Sequence, residues 1–175
     1  RAAELAAINT VSTALASELD LRALIHLVGE QTRSLFNASI AYVALLDETS
    51  GTINFPYTYG ENLSSIRYGE GLTSKILQTQ QPLLINQNLN RQVIEIGATV
   101  VGTVPLSYLG VPIFMQGKAV GVLSVQSTTQ EGIFTENDKH LLSTIGANVG
   151  NALQNAHLFD ESKRQEQLAR ETQRR

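Results

Sequence analysis

Two apolar runs joined by a tight turn constrain the fold of this chain more than any other feature of its sequence. Residues 108–115 and 118–126 are dominated by aliphatic side chains, and only Gln116 and Gly117 lie between them. A two-residue connection that ends in glycine suits the tight turn of a β-hairpin. The sequence therefore predicts an antiparallel hairpin, around which a sheet can be assembled.

Shorter elements are predicted upstream of this hairpin. Strands are expected at residues 39–46, 52–59 and 83–85, and a short helix at residues 72–80. The connections at residues 60–71 and 86–105 are long, and the second is expected to hold a helical turn or two. Because long connections are usually functional or disordered, we expect these two segments to be the mobile parts of the fold.

Three longer helices are predicted outside the strands. The first covers residues 2–18, the second runs from an Asp20 cap to about residue 36, and the third from about Glu136 to at least residue 161. Thr135 and Asp138 are spaced as a capping box, in which side chains satisfy free N–H groups of the first helical turn. Terminal helices with hairpins between them indicate an α+β domain with an antiparallel sheet.

Two of these helices carry a narrow apolar seam, in which apolar side chains recur at alternating spacings of three and four residues. The seams extend beyond the expected globular body, so they are predicted to pair with a second copy in a parallel homodimer. The predicted dimer-interface residues are Leu5, Ile8, Leu15, Leu19, Val149, Ala152, Ala156 and Phe159. The alternative is that each seam packs only against its own sheet.

The charge of the chain restricts its partners. A formal net charge of -3 provides no electrostatic footprint for nucleic acid or anionic lipid. Residues 96–117 carry no charge, but Pro105 and Pro112 would break a membrane-spanning helix there. We therefore expect neither nucleic-acid binding nor membrane insertion of this fragment.

No enzyme motif matches when it is compared residue by residue. Gly97 and Gly102 have the spacing of a phosphate-binding loop, but Thr103 and Val104 follow where lysine and a hydroxyl residue are required. The three histidines lack the spacing of a zinc site. The chain has no cysteine, which excludes disulfides, thiolate catalysis and cysteine-based zinc sites. We predict no catalytic residue and no metal ligand.

Several segments, taken together, resemble GAF domains. They are the hairpin segments 107–113 and 117–126, the helix start 134–138, and the upstream segments 69–72 and 81–86. The resemblance covers about residues 20–160. It implies an α+β fold with a GAF-like central antiparallel β-sheet of five or six strands and terminal helices on one face. Loops and short helices would cover a ligand pocket on the other face.

The resemblance also implies a function and a domain organisation. GAF domains occur in bacterial histidine kinases, cyclases and phosphodiesterases, so we expect a cytoplasmic, non-catalytic sensory module at residues 20–160. Residues 1–19 would form a signalling and dimerisation helix. Residues 161–175, which are charged and have no seam, would be a linker to a downstream output domain in the same chain.

Departures from the GAF pattern reduce the number of ligand classes that this chain is expected to bind. Relatives that carry a bilin or reduce free methionine sulfoxide need cysteine, and haem is not expected, so no cofactor is predicted. Phe134 and Asp138 match a signature that cyclic-nucleotide binders share. Ser127, Thr128 and Lys139 stand where that signature has other residues, so it does not support a cyclic nucleotide.

Two functions remain open from the sequence. The first is a small-molecule sensor whose ligand contacts the sheet face away from the terminal helices. The candidate ligand-binding residues are Tyr42, Phe55, Tyr57, Asn86, Tyr108 and Gln126. Their side chains offer flat apolar faces, hydroxyls or amides, although the alternative for each tyrosine is plain packing. The second function is ligand-free dimerisation and signal relay through the terminal helices.

Overall fold

The computed structural model describes residues 18–174, which form four helices and six strands. The helices are α1 (Glu18–Leu35), α2 (Gly71–Thr79), α3 (Leu89–Glu95) and α4 (Glu136–Arg174). The strands are β1 (Ile40–Asp47), β2 (Thr52–Tyr59), β3 (Ile66–Arg67), β4 (Leu83–Ile85), β5 (Ser107–Met115) and β6 (Lys118–Ser127). Among these residues, no helix is both long enough and apolar enough to cross a membrane.

The six strands form one antiparallel sheet in the order β3-β2-β1-β6-β5-β4. The predicted hairpin is confirmed, because β5 and β6 pair along their whole length, and its strand β6 lies with β1 at the centre of the sheet. Gln116 and Gly117 both have positive φ, at 54° and 75°. That combination is typical of the type I′ turn, whose twist matches that of the strands it joins. The predicted α+β fold with an antiparallel sheet is confirmed.

The two faces of the sheet carry separate cores. Odd-numbered residues of β1, β5 and β6, such as Val43, Leu109 and Leu123, pack against α1 and α4. Even-numbered residues, such as Tyr42, Tyr108 and Val122, pack with α2, α3 and the connections around them. We call these the helix face and the cover face. The alternation follows from the period of two in a β-strand.

Helix α4 approaches the sheet closely. Gly146 lies against Val111 and Pro112, and a Cβ atom on Gly150 would overlap the carbonyl oxygen of Phe114. The two glycines are one helical turn apart and therefore lie on the same side of α4. They allow its backbone to rest almost directly on β5.

Helices α1 and α4 lie side by side and run in opposite directions. Leu21, near the start of α1, shares a groove with Leu153 and Ala156 of α4. At the other end, Phe36 follows α1 and meets Phe134 edge to face, with ring centroids 6.5 Å apart. The described start of α1 therefore lies beside the region where α4 extends past the sheet.

Several predicted boundaries need correction. Asp20 lies inside α1 and does not cap it, since the helix already includes Glu18. Residues 161–174 continue α4 as one helix of 39 residues, which extends the long helix expected to reach at least residue 161, and their role as a linker stays a prediction. The segment 60–71 also contains the short strand β3, which pairs with β2. The predicted helix at residues 2–18 lies almost entirely outside the described residues.

Three of the four predicted dimer-interface residues on α4 are buried by contacts within one chain. Val149, Ala152 and Ala156 are 0%, 1% and 6% exposed and belong to the helix-face core or its edge. They are closed to a partner because α4 lies so close to the sheet. Phe159, one turn further along, is 38% exposed. Leu5, Ile8 and Leu15 lie outside the described residues, as does the side chain of Leu19.

Candidate functional site

A small cavity lies on the cover face, between the sheet and the segments that lie over it. Its volume is about 30 Å³. Its floor comes from β1, β2, β5 and β6, and its walls come from the first turn of α2 and from residues 61–66 and 100–105. A cavity of this size has room for only one or two water molecules. A larger ligand therefore requires the covering segments to move.

The floor of the cavity contains a buried chain of hydroxyl groups. The Tyr42 hydroxyl lies 2.6 Å from Oγ1 of Thr73 and 2.7 Å from the Tyr108 hydroxyl. Both tyrosines are almost fully buried. Burial raises the pKa of the Tyr42 hydroxyl, and it raises the pKa of Tyr108 well above its usual value, with the neighbouring Tyr42 adding to that increase. Both groups therefore stay neutral and can donate as well as accept hydrogen bonds.

Two further polar side chains, Gln126 and Ser124, lie on this face of the sheet. Gln126 is 94% buried and lines the cavity, yet its amide group bonds to none of these residues. Ser124 pairs with Tyr42 in the sheet, and its buried hydroxyl lies beside the hydroxyl groups of Tyr42 and Tyr108. The floor therefore retains hydrogen-bonding capacity that is not used within the domain.

A carboxylate joins the two covering segments. Oε1 of Glu61 accepts hydrogen bonds from the backbone N–H of Thr103, at 2.8 Å, and from its hydroxyl, at 3.1 Å. The neighbouring Gly102 has a φ of 87°, and a side chain on it would collide with the Glu61 carboxylate. The N–H of Gly71, at the start of α2, donates to Thr99 Oγ1 at 3.3 Å. We call the Glu61–Thr103 contact the latch and residues 96–106 the lid.

The cavity is sparsely charged. Glu61 is the one ionisable carboxylate among its described lining residues, which include no Lys, Arg or His. The start of α2 contributes a partial positive charge, because the N–H groups of a first helical turn point outward. Among residues 18–174, no three His, Cys, Asp or Glu side chains form a group able to hold a metal ion.

Four of the six predicted ligand-binding residues meet at this cavity. Tyr42, Phe55, Tyr108 and Gln126 all line it, and Phe55 packs edge to face on Tyr42 with centroids 5.3 Å apart. The structure brings them together from four different strands. Whether they contact a ligand remains a prediction.

Tyr57 lies on the opposite face of the sheet from the one predicted. Val43 pairs with Tyr57 and Leu45 pairs with Asn54, so two residues of β2, Phe55 and Pro56, oppose one residue of β1. This bulge reverses the alternation, and Tyr57 joins the helix-face core while Phe55 stays on the cover face. Pro56 was the available signal, because a proline inside a strand is confined to edges, strand starts and bulges.

On the helix face, Tyr57 belongs to a small polar cluster. Its hydroxyl donates to Glu30 Oε2 at 2.6 Å, and Arg33 Nε donates to the same oxygen at 3.1 Å. The guanidinium group of Arg33 also lies 4.5 Å above the Tyr59 ring. The hydrogen bonds from Arg33 and Tyr57 lower the pKa of Glu30 from 4.5 to about 2. This cluster joins α1 to β2 and takes no part in the cavity.

Asn86 is also outside the cavity lining. Its amide group binds the backbone of Phe134, donating from Nδ2 to the carbonyl at 2.6 Å and accepting from the N–H at 3.3 Å. The structure therefore does not bring Asn86 together with the other candidates, because its amide binds a peptide group 48 residues away. Whether it contacts a ligand stays a prediction.

The sequence did not reveal the cavity residues that come from the covering segments. Thr73, Glu61 and Thr103 line the cavity, yet each lies in or beside a connection without a regular pattern. The one local signal was Gly69-Glu70-Gly71, which predicts a turn before the short helix that carries Thr73.

The fold is shared with several solved structures. The GAF domain of a phosphoenolpyruvate-protein phosphotransferase from Acinetobacter matches with a TM-score of 0.73 at 22% identity, over 88% of this chain and 92% of that one. A free methionine-R-sulfoxide reductase from Neisseria meningitidis matches with a TM-score of 0.72 at 16% identity, over 86% and 88%. A methyl-accepting chemotaxis protein segment matches with a TM-score of 0.70 at 14% identity, over 85% and 97%. At these identities the likeness shows the fold alone.

The sequence profile of the GAF domain matches residues 18–154, which is more than half of the chain. The chain therefore belongs to the GAF domain family. GAF domains are generally regulatory or sensory modules of larger signalling proteins, and most are not catalytic. The reductase from Neisseria shows that the same fold also supports an enzyme.

Proposed function

We propose that this GAF domain is a non-catalytic sensory module that binds a small molecule in the cavity of the cover face. One observation carries the proposal: the nearly buried Gln126 amide faces the cavity without a hydrogen-bond partner among the described residues. It lies beside the hydroxyl chain of Tyr42, Tyr108 and Thr73. A ligand that bonds to these groups would compensate for their burial.

The lining indicates the chemistry of such a ligand. Phe55, Leu63 and Ile66 provide apolar contacts, and the hydroxyls and the Gln126 amide provide donors and acceptors. A few placed polar groups in a mostly apolar wall are typical of small-molecule sites. Because no basic side chain lines the cavity, a ligand without phosphate fits it best.

Cyclic AMP and cyclic GMP are therefore expected to bind weakly or not at all. Neither Arg nor Lys is available at the described lining to neutralise the cyclic phosphate. Ser127, one of the departures from the cyclic-nucleotide signature, uses its hydroxyl to accept from the N–H groups of Thr129 and Gln130. Titration calorimetry tests this directly, and a dissociation constant at or below micromolar for either nucleotide would contradict it.

The comparisons support a ligand site without identifying the ligand. The Neisseria reductase was solved in complex with its substrate, so the shared fold holds a small molecule in at least that protein. The present chain has no cysteine, so a thiol-based reduction is not part of the proposal.

We also propose that the module is cytoplasmic and precedes an output domain in the same chain.

Native mass spectrometry of freshly purified protein tests the proposal. We expect a retained small mass in the unmodified protein and its loss in Gln126→Leu, which replaces the cavity amide with an apolar side chain of similar size. The matched control is Gln78→Leu on the exposed side of α2, which should keep the mass. Protein without any retained mass, and without thermal stabilisation by a panel of phosphate-free metabolites, would favour a different function.

That second function is a ligand-free module for dimerisation and signal relay. It is favoured by α4, which continues to Arg174 beyond the sheet and carries the exposed Phe159. In both functions the terminal helices carry the output, and in both we propose a homodimer with parallel α4 helices. The two differ in whether the cavity holds a ligand, which the mass measurement decides.

A further inference from the structure

The Asn86 side chain forms a two-point contact with the segment that begins α4. Its Nδ2 donates to the carbonyl of Phe134 and its Oδ1 accepts from the N–H of the same residue, so the two ends of the amide bond to one peptide residue. In addition, the backbone carbonyl of Asn86 accepts from the N–H of Gly132 at 2.9 Å. Three hydrogen bonds thus attach the end of β4 to residues 132–134. We call this set of contacts the clamp.

On one side, the clamp continues directly into the cavity cover. Ile85 is buried in the cover-face core, and α3, which begins at Leu89, buries Leu89 and Val93 in the same core. The N–H of Asn88, at the start of α3, donates to the Glu131 carboxylate at 3.3 Å. The chain then enters the lid, of which residues 100–105 reach the cavity. A displacement of the lid therefore acts on α3 and on the clamp.

On the other side, the clamp ends where both terminal helices meet. Phe134 is 3% exposed and packs on Phe36, which directly follows α1. In the next residues, Thr135 and Asp138 cap α4, with N–H to side-chain oxygen distances of 2.9 and 3.1 Å. A shift of Phe134 therefore changes the start of α4 and the end of α1 together.

We propose that the Asn86–Phe134 clamp couples the lid of the cavity to the start of α4. The proposal rests on the proposed sensory function, and it assigns Asn86 as the positioning residue through which the state of the lid reaches the signalling helices. The route enters at the end of the edge strand β4 and does not pass through the central strands β1 and β6. A ligand acts through it only by favouring one of two lid positions.

A double-mutant cycle read by hydrogen exchange tests the coupling without a ligand. Glu61→Ala removes the latch and should speed exchange in the lid, residues 96–106. If the clamp transmits this change, amides at residues 134–142 should also exchange faster, by at least about fivefold, the low end of typical couplings between sites. In the Asn86→Ala background, Glu61→Ala should still loosen the lid but should no longer alter residues 134–142.

Two further variants keep the test decisive. Asn90→Ala, on the exposed side of α3, is the matched control and should leave the effect of Glu61→Ala intact. If Asn86→Ala does not fold, Asn86→Ser supplies the same comparison, because it stays polar but lacks the separate donor and acceptor atoms of the amide. The coupling is overturned if Glu61→Ala leaves the lid unchanged, leaves residues 134–142 unchanged, or acts on them equally with and without Asn86. None of these outcomes depends on a ligand, so the proposed function can fail separately.

Discussion

Tyr42 and Tyr57 lie on neighbouring strands and have the same side chain, yet they serve opposite faces of the sheet. Tyr42 anchors the hydroxyl chain under the cavity, and Tyr57 ties β2 to α1 through Glu30. The two tyrosines face opposite sides because the bulge at Phe55 and Pro56 adds one residue to β2. At this scale the role of a side chain is determined by the face to which the backbone directs it.

Replacing Tyr42 with Phe should destabilise the domain by about 1–3 kcal/mol, because it leaves the buried hydroxyls of Thr73 and Tyr108 without their shared partner. Urea denaturation of both proteins gives the difference. The matched control is Tyr68→Phe, on a half-exposed tyrosine, which should stay within about 0.5 kcal/mol. A Tyr42→Phe variant as stable as the unmodified protein would show that the hydroxyl chain contributes nothing to folding.

The Glu30 cluster should contribute to stability in a defined pH range. The folded-state pKa of Glu30 is lowered from 4.5 to about 2, mainly by hydrogen bonds from Arg33 and Tyr57. A lowered pKa means that the contribution is complete above pH 4.5 and is lost as the pH falls toward 2. The stability difference between the unmodified protein and Glu30→Gln should therefore shrink between those values.

Chemical denaturation from pH 7 to pH 2 measures this difference. Glu70→Gln serves as the control, because that exposed carboxylate has no hydrogen bond or ion pair with a described residue. A stability difference for Glu30→Gln that stays constant over the whole range would mean that Glu30 has the same pKa in the folded and unfolded chain.

Helix α4 combines close packing on the sheet with a long extension beyond it. Its first half lies on β5 through Gly146 and Gly150, and its second half leaves the domain. The apolar seam predicted for this helix is therefore partly buried in the core and partly exposed on the surface. Val149 and Ala152 complete the core of their own domain, and Phe159 remains on the surface.

A methyl group at Gly150 should destabilise the domain by about 1–3 kcal/mol, because it would press against the carbonyl oxygen of Phe114. This exceeds the gain of up to about 1 kcal/mol that alanine has over glycine within a helix. Thermal and urea unfolding of Gly150→Ala provide the measurement. Asn151→Ala, on the exposed side of α4, is the control, and a Gly150→Ala variant more stable than the unmodified protein would show that α4 can shift away from β5 without loss.

For the molecule as a whole, the antiparallel packing of α1 and α4 has a directional consequence. The described start of α1 and the extension of α4 lie at the same end of the domain. Under the proposed sensory function, both terminal helices would connect to the rest of the protein at that end. The clamp acts at the opposite end, where α4 begins and α1 finishes.

The proposed homodimer can be tested at Phe159. Phe159→Glu would place a charge in the interface and should shift the protein toward monomers, because an unpaired charge is costly to remove from water. Ala156 is less suitable for this test, since it is already 94% buried within its own domain. Sedimentation velocity measures the oligomeric state, and Gln165→Glu, which adds the same charge off the seam, should remain dimeric. A monomeric unmodified protein would rule out the dimer.

The sequence by itself determined the features that depend on neighbouring residues. The bounds of β2 and β4 and the turn at Gln116-Gly117 follow from short apolar runs bounded by turn residues, which act over a few residues of backbone. The lack of cysteine excludes thiol chemistry in the same way, because it depends on composition and not on folding. Tyr42, Phe55, Tyr108 and Gln126 could be placed on one face because the strands that carry them were recognised.

Only the tertiary structure decided which distant groups meet. Tyr57 changed faces because the register between β1 and β2 contains a bulge, and register is a property of two strands together. Asn86 is hydrogen-bonded to Phe134, which is 48 residues away, and Glu61 accepts a hydrogen bond from Thr103, which lies in a different irregular connection. The apolar residues of α4 are buried where the helix lies close to the sheet and exposed where it extends past the sheet. Such contacts depend on the position of the whole backbone, which no local pattern of residues specifies.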